Sequence, residues 1–194
     1  MLPELNIGWG YAWWFPATYV LITISIVAIY GREFSKRFFR FPKSESIKQK
    51  IPVLLGAALF GRAIMIYSIF VPLELNTLWL WIGVFIFLIG ALLTAIAMIN
   101  FATTSQDQPV RKGMYRFSRN PIQVLAIIMW IGVGIATLSW IIFGACLLLA
   151  VVSYPSIRAQ ERYCLETYGG AYREYMKSTP RYLLFGKWPS GLSY

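Results

Sequence analysis

Residues 108–123 read QPVRKGMYRFSRNPIQ. The stretch is polar, carries the cations Arg111, Lys112, Arg116 and Arg119, and closes on Asn120-Pro121. Apolar runs flank it on both sides, and each approaches the roughly 20 residues that a helix needs to cross a hydrocarbon layer of about 30 Å. It therefore reads as a basic loop at the mouth of a membrane helical bundle. Its companion is residues 158–181, RAQERYCLETYGGAYREYMKSTPR. Together the two stretches hold nearly all the chemistry-capable side chains of the second half of the chain.

Working outward, the apolar runs predict an all-α membrane domain spanning residues 1–194, with five transmembrane helices at about 12–30, 51–71, 77–101, 122–138 and 140–155. Little but Ser139 separates the last two runs, so they are expected to form a tight hairpin, in which Gly132 and Gly134 allow close approach. The fifth helix is expected to leave the membrane as a charged extension over 156–168, kinked at Pro155 and capped by Gly169. A shorter helix over 171–177 should end before Pro180.

Composition agrees with a membrane protein. The chain is 58% hydrophobic and 13% charged, against about 25% charged residues in soluble domains. A net charge of +10 raises nucleic-acid binding as a reading, but the positions of the cations favour another. Residues 31–50 hold seven Lys and Arg, 102–120 hold four and 156–194 hold six, which leaves one of the eighteen elsewhere. With five spans these three regions share one side, and the opposite side has none. Positive-inside bias then predicts an integral multi-pass protein with its N-terminus outside and its C-terminus and active site cytoplasmic. The first residues lack a basic leader region, so the first apolar run is expected to be retained. The remaining cation, Arg62, falls within the second span, where no acid is near to pair with it. It either bonds backbone carbonyls or Asn100, or snorkels to the interface, or faces the bundle interior and meets an anionic substrate group.

The chain has no histidine, and Cys146 and Cys164 lack metal-ligand spacing, so no metal site is expected. Nor does any feature call for nucleic acid or require an oligomer.

The order Gly113-Met-Tyr115-Arg-Phe-Ser-Arg119-Asn120-Pro121, a glycine-containing hairpin, Glu161, then Tyr168-Gly169-Gly-Ala-Tyr172-Arg-Glu-Tyr175 and Pro180-Arg181 resembles the isoprenylcysteine carboxyl methyltransferase family, in particular its prokaryotic members. The resemblance covers about residues 100–182. Three positions depart from the pattern: Asn120 stands for its His, Gln123 for its Tyr, and Gln160 for the first Glu of its acidic pair.

The resemblance implies a site for S-adenosylmethionine, released as S-adenosylhomocysteine, at the cytoplasmic membrane surface. Backbone groups of Gln108, Pro109 and Val110 would meet the purine edge. Tyr115 would lie over the adenine or sulfonium. Asn100, Arg119, Asn120, Pro121 and Gln123 complete the expected cofactor set, with the free N–H groups before Pro121 suited to the carboxylate. Glu161 would accept from the ammonium or ribose and is a candidate catalytic group. For the acceptor, Arg158 is the candidate catalytic and substrate-binding cation, because it lies three residues before Glu161 and so on nearly the same helix face; Arg62 is the alternative.

The implied reaction is displacement at a methyl carbon. A carboxylate acceptor is already ionised at neutral pH and needs no base, whereas an amine must first lose a proton. The expected acceptor is therefore an isoprenylcysteine-like lipid carboxylate delivered by the bilayer. A phospholipid amine remains the alternative acceptor. A sterol-reductase-like site for a reduced dinucleotide, using Arg111, Lys112 and Arg116, and a non-enzymatic lipid-binding bundle are the readings from other classes.

Overall fold

The computed structural model describes residues 8–38 and 59–182. The expected basic segment over 39–50, the first part of the expected second span and Lys187 lie outside the described residues. Among the described residues the ordered elements are helical. They are α1 (Trp14–Phe38), α2 (Leu59–Ile69), α3 (Leu78–Ala102), α4 (Pro121–Ala136), α5 (Trp140–Val152), α6 (Tyr154–Tyr168) and α7 (Gly170–Ser178). Three stretches are long and apolar enough to cross a membrane: Trp14–Arg32, Leu78–Ala102 and Trp140–Tyr168. The last joins α5 and α6 across Ser153. α4 is shorter, about 24 Å at 1.5 Å per residue.

α3 is the spine. Thr77 caps it by accepting from the Leu80 N–H, which satisfies one of the free amides of its first turn. Leu80, Phe87, Ala91, Thr94 and Met98 line its buried face. Trp81, Phe85, Leu88 and Leu92 are exposed on the other. An exposed face this apolar is a lipid-facing one.

α4 packs antiparallel on α3 along a seam of glycines. A Cβ on Gly83 would stand 2.3 Å from the Ala136 amide nitrogen and 2.5 Å from the Gly132 carbonyl oxygen. One on Gly132 would stand 2.7 Å from the Phe87 nitrogen, and one on Gly90 2.8 Å from Met129 Cβ. The two backbones touch, and only glycine leaves the room. Gly134 meets the Phe143 backbone of α5 in turn. Gly132 and Gly134 are thus both occupied by helix packing, the close approach that their small size allows. Phe15 and Phe87 meet edge to face at 4.8 Å beside the seam, with Met129, Val133 and Ile142 filling the core.

The two ends of the bundle differ. At one end the chain between α2 and α3 pairs with the start of the chain, the Ala12 N–H donating to Val71 O and the Leu73 N–H to Gly10 O. Exposed Trp9, Trp14, Trp79, Trp81 and Trp140 gather at this end, at the starts of α1, α3 and α5, as suits indoles at a membrane interface. At the other end, α3 runs into the polar loop 103–120, and α5 passes through Ser153 into α6. Pro155 lies in the first turn of α6, where its missing N–H costs nothing. Gly169, with φ of +52°, ends α6 and starts α7.

Candidate functional site

The polar loop is built to fold back on α3. Lys112 Nζ donates to the Thr103 carbonyl at 3.0 Å. Gly113 has φ of +57°, and a Cβ there would stand 2.0 Å from Asn100 Nδ2, so the position admits glycine on two counts. A 3₁₀ turn, Gly113–Arg116, then buries Tyr115, whose ring stacks near Phe101 with centroids 6.3 Å apart.

The C-terminal helices clasp this loop. Tyr175 Oη donates to the Tyr115 carbonyl at 2.6 Å and Tyr168 Oη to the Gln106 carbonyl at 3.2 Å. Arg111 donates to the Ala171 carbonyl and lies over the Tyr175 ring at 5.8 Å. The Arg119 N–H donates to Pro180 O at 2.9 Å, and Ser118 Oγ to Arg181 O at 2.9 Å. Ser118 Oγ also accepts from the Asn120 N–H at 3.1 Å, taking the place of a side-chain cap on α4. Burial raises the phenols of Tyr172 and Tyr175 well above their ordinary range, so both stay neutral and remain donors.

Between loop and clasp lies a cavity of about 90 Å³. Of the residues predicted from sequence, Pro109, Val110, Tyr115, Arg119, Asn120, Gln123 and Glu161 line it. Pro121 is buried behind Asn120 at the start of α4. The rest fall elsewhere. Asn100 packs under Gly113 with its Nδ2 buried and without a partner, while Gln108 is exposed. Arg158 is exposed on α6, and Arg62 is exposed on α2. Neither lines the cavity.

Sequence reasoning missed other walls. Gln160, Cys164 and Tyr168 line the cavity from α6, and Tyr172 and Tyr175 from α7. The first three recur every four residues, a helical period readable in advance. Gln160 also meets Gln123 across the cavity, amide to amide at 3.1 Å; these are two of the three positions that depart from the family pattern.

The charged centre of the site is Glu161, which is 4% exposed. Arg181 holds it with a fork: Nε donates at 3.1 and 3.0 Å to the two carboxylate oxygens, and Nη2 at 2.7 Å to Oε2. This bond keeps the Arg181 guanidinium charged. On the cavity side Arg119 Nη1 stands 3.4 Å from Oε1. That is an ion pair by distance, but its geometry makes no hydrogen bond, and both Nε and Nη1 of Arg119 are buried without one. Two guanidiniums around one carboxylate leave a net charge of +1, with donors to spare.

Residues 78–171 match the model of the phospholipid methyltransferase family. No curated protein and no solved structure matches the chain significantly. The match is just under half of the chain and runs from α3 to the start of α7, so it contains the loop and most of the cavity wall. Phospholipid methyltransferases fall in the same membrane methyltransferase superfamily as the isoprenylcysteine enzymes. The stretch that builds the cavity is thus similar to membrane methyltransferases, at the level of the superfamily that the two families share.

Proposed function

We propose that this protein is an integral membrane, S-adenosylmethionine-dependent methyltransferase, that the cavity between the polar loop and α6–α7 is its donor site, and that its acceptor is a lipid-tailed carboxylate of the isoprenylcysteine kind. The observation that carries this reading is the cluster of Arg119 and buried Glu161, both inside the stretch that matches the family model, joined by Arg181 from just beyond it. In the same reading the chain crosses the membrane five times, with α4 and α5 as a hairpin, the tryptophan-rich end outside and the cavity on the cytoplasmic side.

The lining suits the donor in kind. Tyr115, Tyr172 and Tyr175 offer aromatic faces to a cation and a purine. The unsatisfied donors of Arg119 suit a carboxylate. Backbone groups at Pro109 and Val110 suit a purine edge. When bound, the cofactor supplies an electrophilic methyl group on a sulfonium. The free space is below the roughly 300 Å³ or more of small-molecule sites, so binding entails outward movement of the polar loop or α7.

Glu161, expected to accept from the cofactor or serve as a base, has another task here: it holds two arginines. Both of its carboxylate oxygens are engaged by guanidiniums, and burial keeps the phenols of Tyr172 and Tyr175 neutral, which leaves the site short of a free base. A carboxylate acceptor needs none, and catalysis then rests on alignment and exclusion of water. Methylation of a phospholipid amine is the second reading, favoured by the family match itself. The dinucleotide reading has less support, because Arg111 and Lys112 donate to backbone carbonyls.

The test uses the full chain in lipid nanodiscs with radiolabelled S-adenosylmethionine. Transfer to N-acetyl-S-farnesylcysteine is expected, with phosphatidylethanolamine as the competing acceptor. Transfer to the amine alone makes the second reading the right one, and transfer to neither removes the proposed acceptor class.

A further inference from the structure

Arg181 is not one of the residues that line the cavity; it reaches the lining residue Glu161 from behind. Its guanidinium carbon lies 5.7 Å over the ring of Tyr154. Tyr154 is 44% exposed and ends a stripe of exposed apolar side chains on α5, Trp140, Leu147 and Val151. These recur at spacings of seven, four and three, which places them on one helix face. That face ends at the tyrosine, one turn short of where α6 becomes charged.

Three groups therefore stand in sequence from the lipid-facing surface to the cavity: the Tyr154 ring, the Arg181 guanidinium, and Glu161 with Arg119 behind it. Arg181 is the partly open member, its side chain 23% exposed against 5% for Glu161 and 9% for Arg119. Its Nε and Nη2 donate to Glu161. Its Nη1 makes no hydrogen bond with another described residue. A guanidinium held in this way is a fixed, always-charged fork with donor capacity left over.

We propose that Arg181 is a specificity-determining residue that reads the head-group charge of the acceptor, admitting lipid-tailed monoanions in preference to neutral or cationic lipids. This rests on the reading of the cavity as a methyl-transfer site. The tail lies along the Leu147–Val151–Tyr154 face, and an anionic oxygen group, carboxylate or phosphate, meets Arg181 at its end. The cluster's net charge of +1 complements such a head group and repels an ammonium. Glu161 positions Arg181 rather than meeting the acceptor.

The experiment compares binding of N-acetyl-S-farnesylcysteine, its methyl ester and lysophosphatidic acid to the detergent-solubilised full chain, by thermophoresis. The wild-type protein is expected to bind the free acid at least tenfold more tightly than the ester. Lysophosphatidic acid binding as tightly as the acid makes the class anionic lipids in general; weaker binding narrows it to carboxylates. Arg181→Gln should abolish the preference for acid over ester, and Arg181→Lys should restore most of it, which a merely structural role would not predict. Equal wild-type affinity for acid and ester overturns the proposal. So does a preference that survives in Arg181→Gln, or that Arg181→Lys fails to restore in folded protein. S-adenosylhomocysteine binding on the same samples separates the two levels: its absence with the acid preference intact contradicts the methyltransferase reading and leaves the charge-reading role of Arg181 standing.

Discussion

The seam between α3 and α4 and the clasp between the polar loop and α7 both hold α4 in place, by opposite means. In the seam, Gly83, Gly90 and Gly132 bring two backbones together, with no side chain between them and no polar group to release. In the clasp, the contacts are hydrogen bonds from Tyr168, Tyr175, Arg111, Ser118 and Arg119 onto carbonyls of a facing segment. Close packing in lipid has no soft direction. Hydrogen bonds are worth about 1 kcal/mol each and can be broken one at a time. The same helix is therefore held by backbone packing along its length and by separable hydrogen bonds at its N-terminal end.

The largest effect should come from the charged centre of the clasp. Glu161→Gln leaves Arg119 and Arg181 facing each other without the carboxylate between them. Removing one partner of a buried ion cluster costs about 3 kcal/mol, and thermal unfolding in detergent should show it. A neutral change there would mean that the arginines are solvated and the cluster is not a centre.

Next comes the seam. Gly132→Val places a side chain where the Phe87 backbone nitrogen lies 2.7 Å from the added Cβ. Overpacking a close interface costs about 2 kcal/mol. The comparison predicts that this change lowers stability without altering exchange in the polar loop. Loop exchange rising in step with lost stability would show that seam and clasp are one unit.

Tyr175→Phe should have a smaller effect, about 1 kcal/mol for one hydrogen bond. It also reads the clasp most selectively, since amide exchange over residues 106–118 should quicken while α3 and α4 stay unchanged. The smallest effect concerns pH. The Tyr172 and Tyr175 phenols are raised from 10.0 by burial, and the folded state holds their protons more tightly than the unfolded one. Their contribution is thus fully present below about pH 10 and is lost as pH rises through the folded values. Thermal midpoints should fall above pH 10, and less so in Tyr175→Phe.

Much of this was legible in the sequence, for reasons that can be named. The runs beginning at Leu78, Pro121 and Trp140 are apolar enough to betray α3, α4 and α5, and Gly169 announced the break between α6 and α7. Pro109, Val110, Tyr115, Arg119, Asn120, Gln123 and Glu161 meet at one cavity because the loop and α6 fold onto each other, as the spaced motifs suggested. Pairing was not legible. Arg181 forks onto Glu161 across twenty residues and a helix break, a geometry that no local spacing encodes. Arg158, three residues before Glu161, is on α6 but exposed: a three-residue step leaves it about 60° round the helix from the buried acid. The two glycines of α4 were visible as small residues. That Gly132 closes a seam on α3 depends on Gly83 and Phe87, which lie some fifty residues away.

The proposed function stands on binding of the methyl donor in the cavity between the polar loop and α6–α7. Hydrogen–deuterium exchange of the full chain in nanodiscs, with and without S-adenosylhomocysteine, tests it most directly. The account predicts added protection over residues 106–120 and 160–178, with α3 and the tryptophan-rich end unchanged. Protection confined to other segments, or none at saturating ligand, would contradict it.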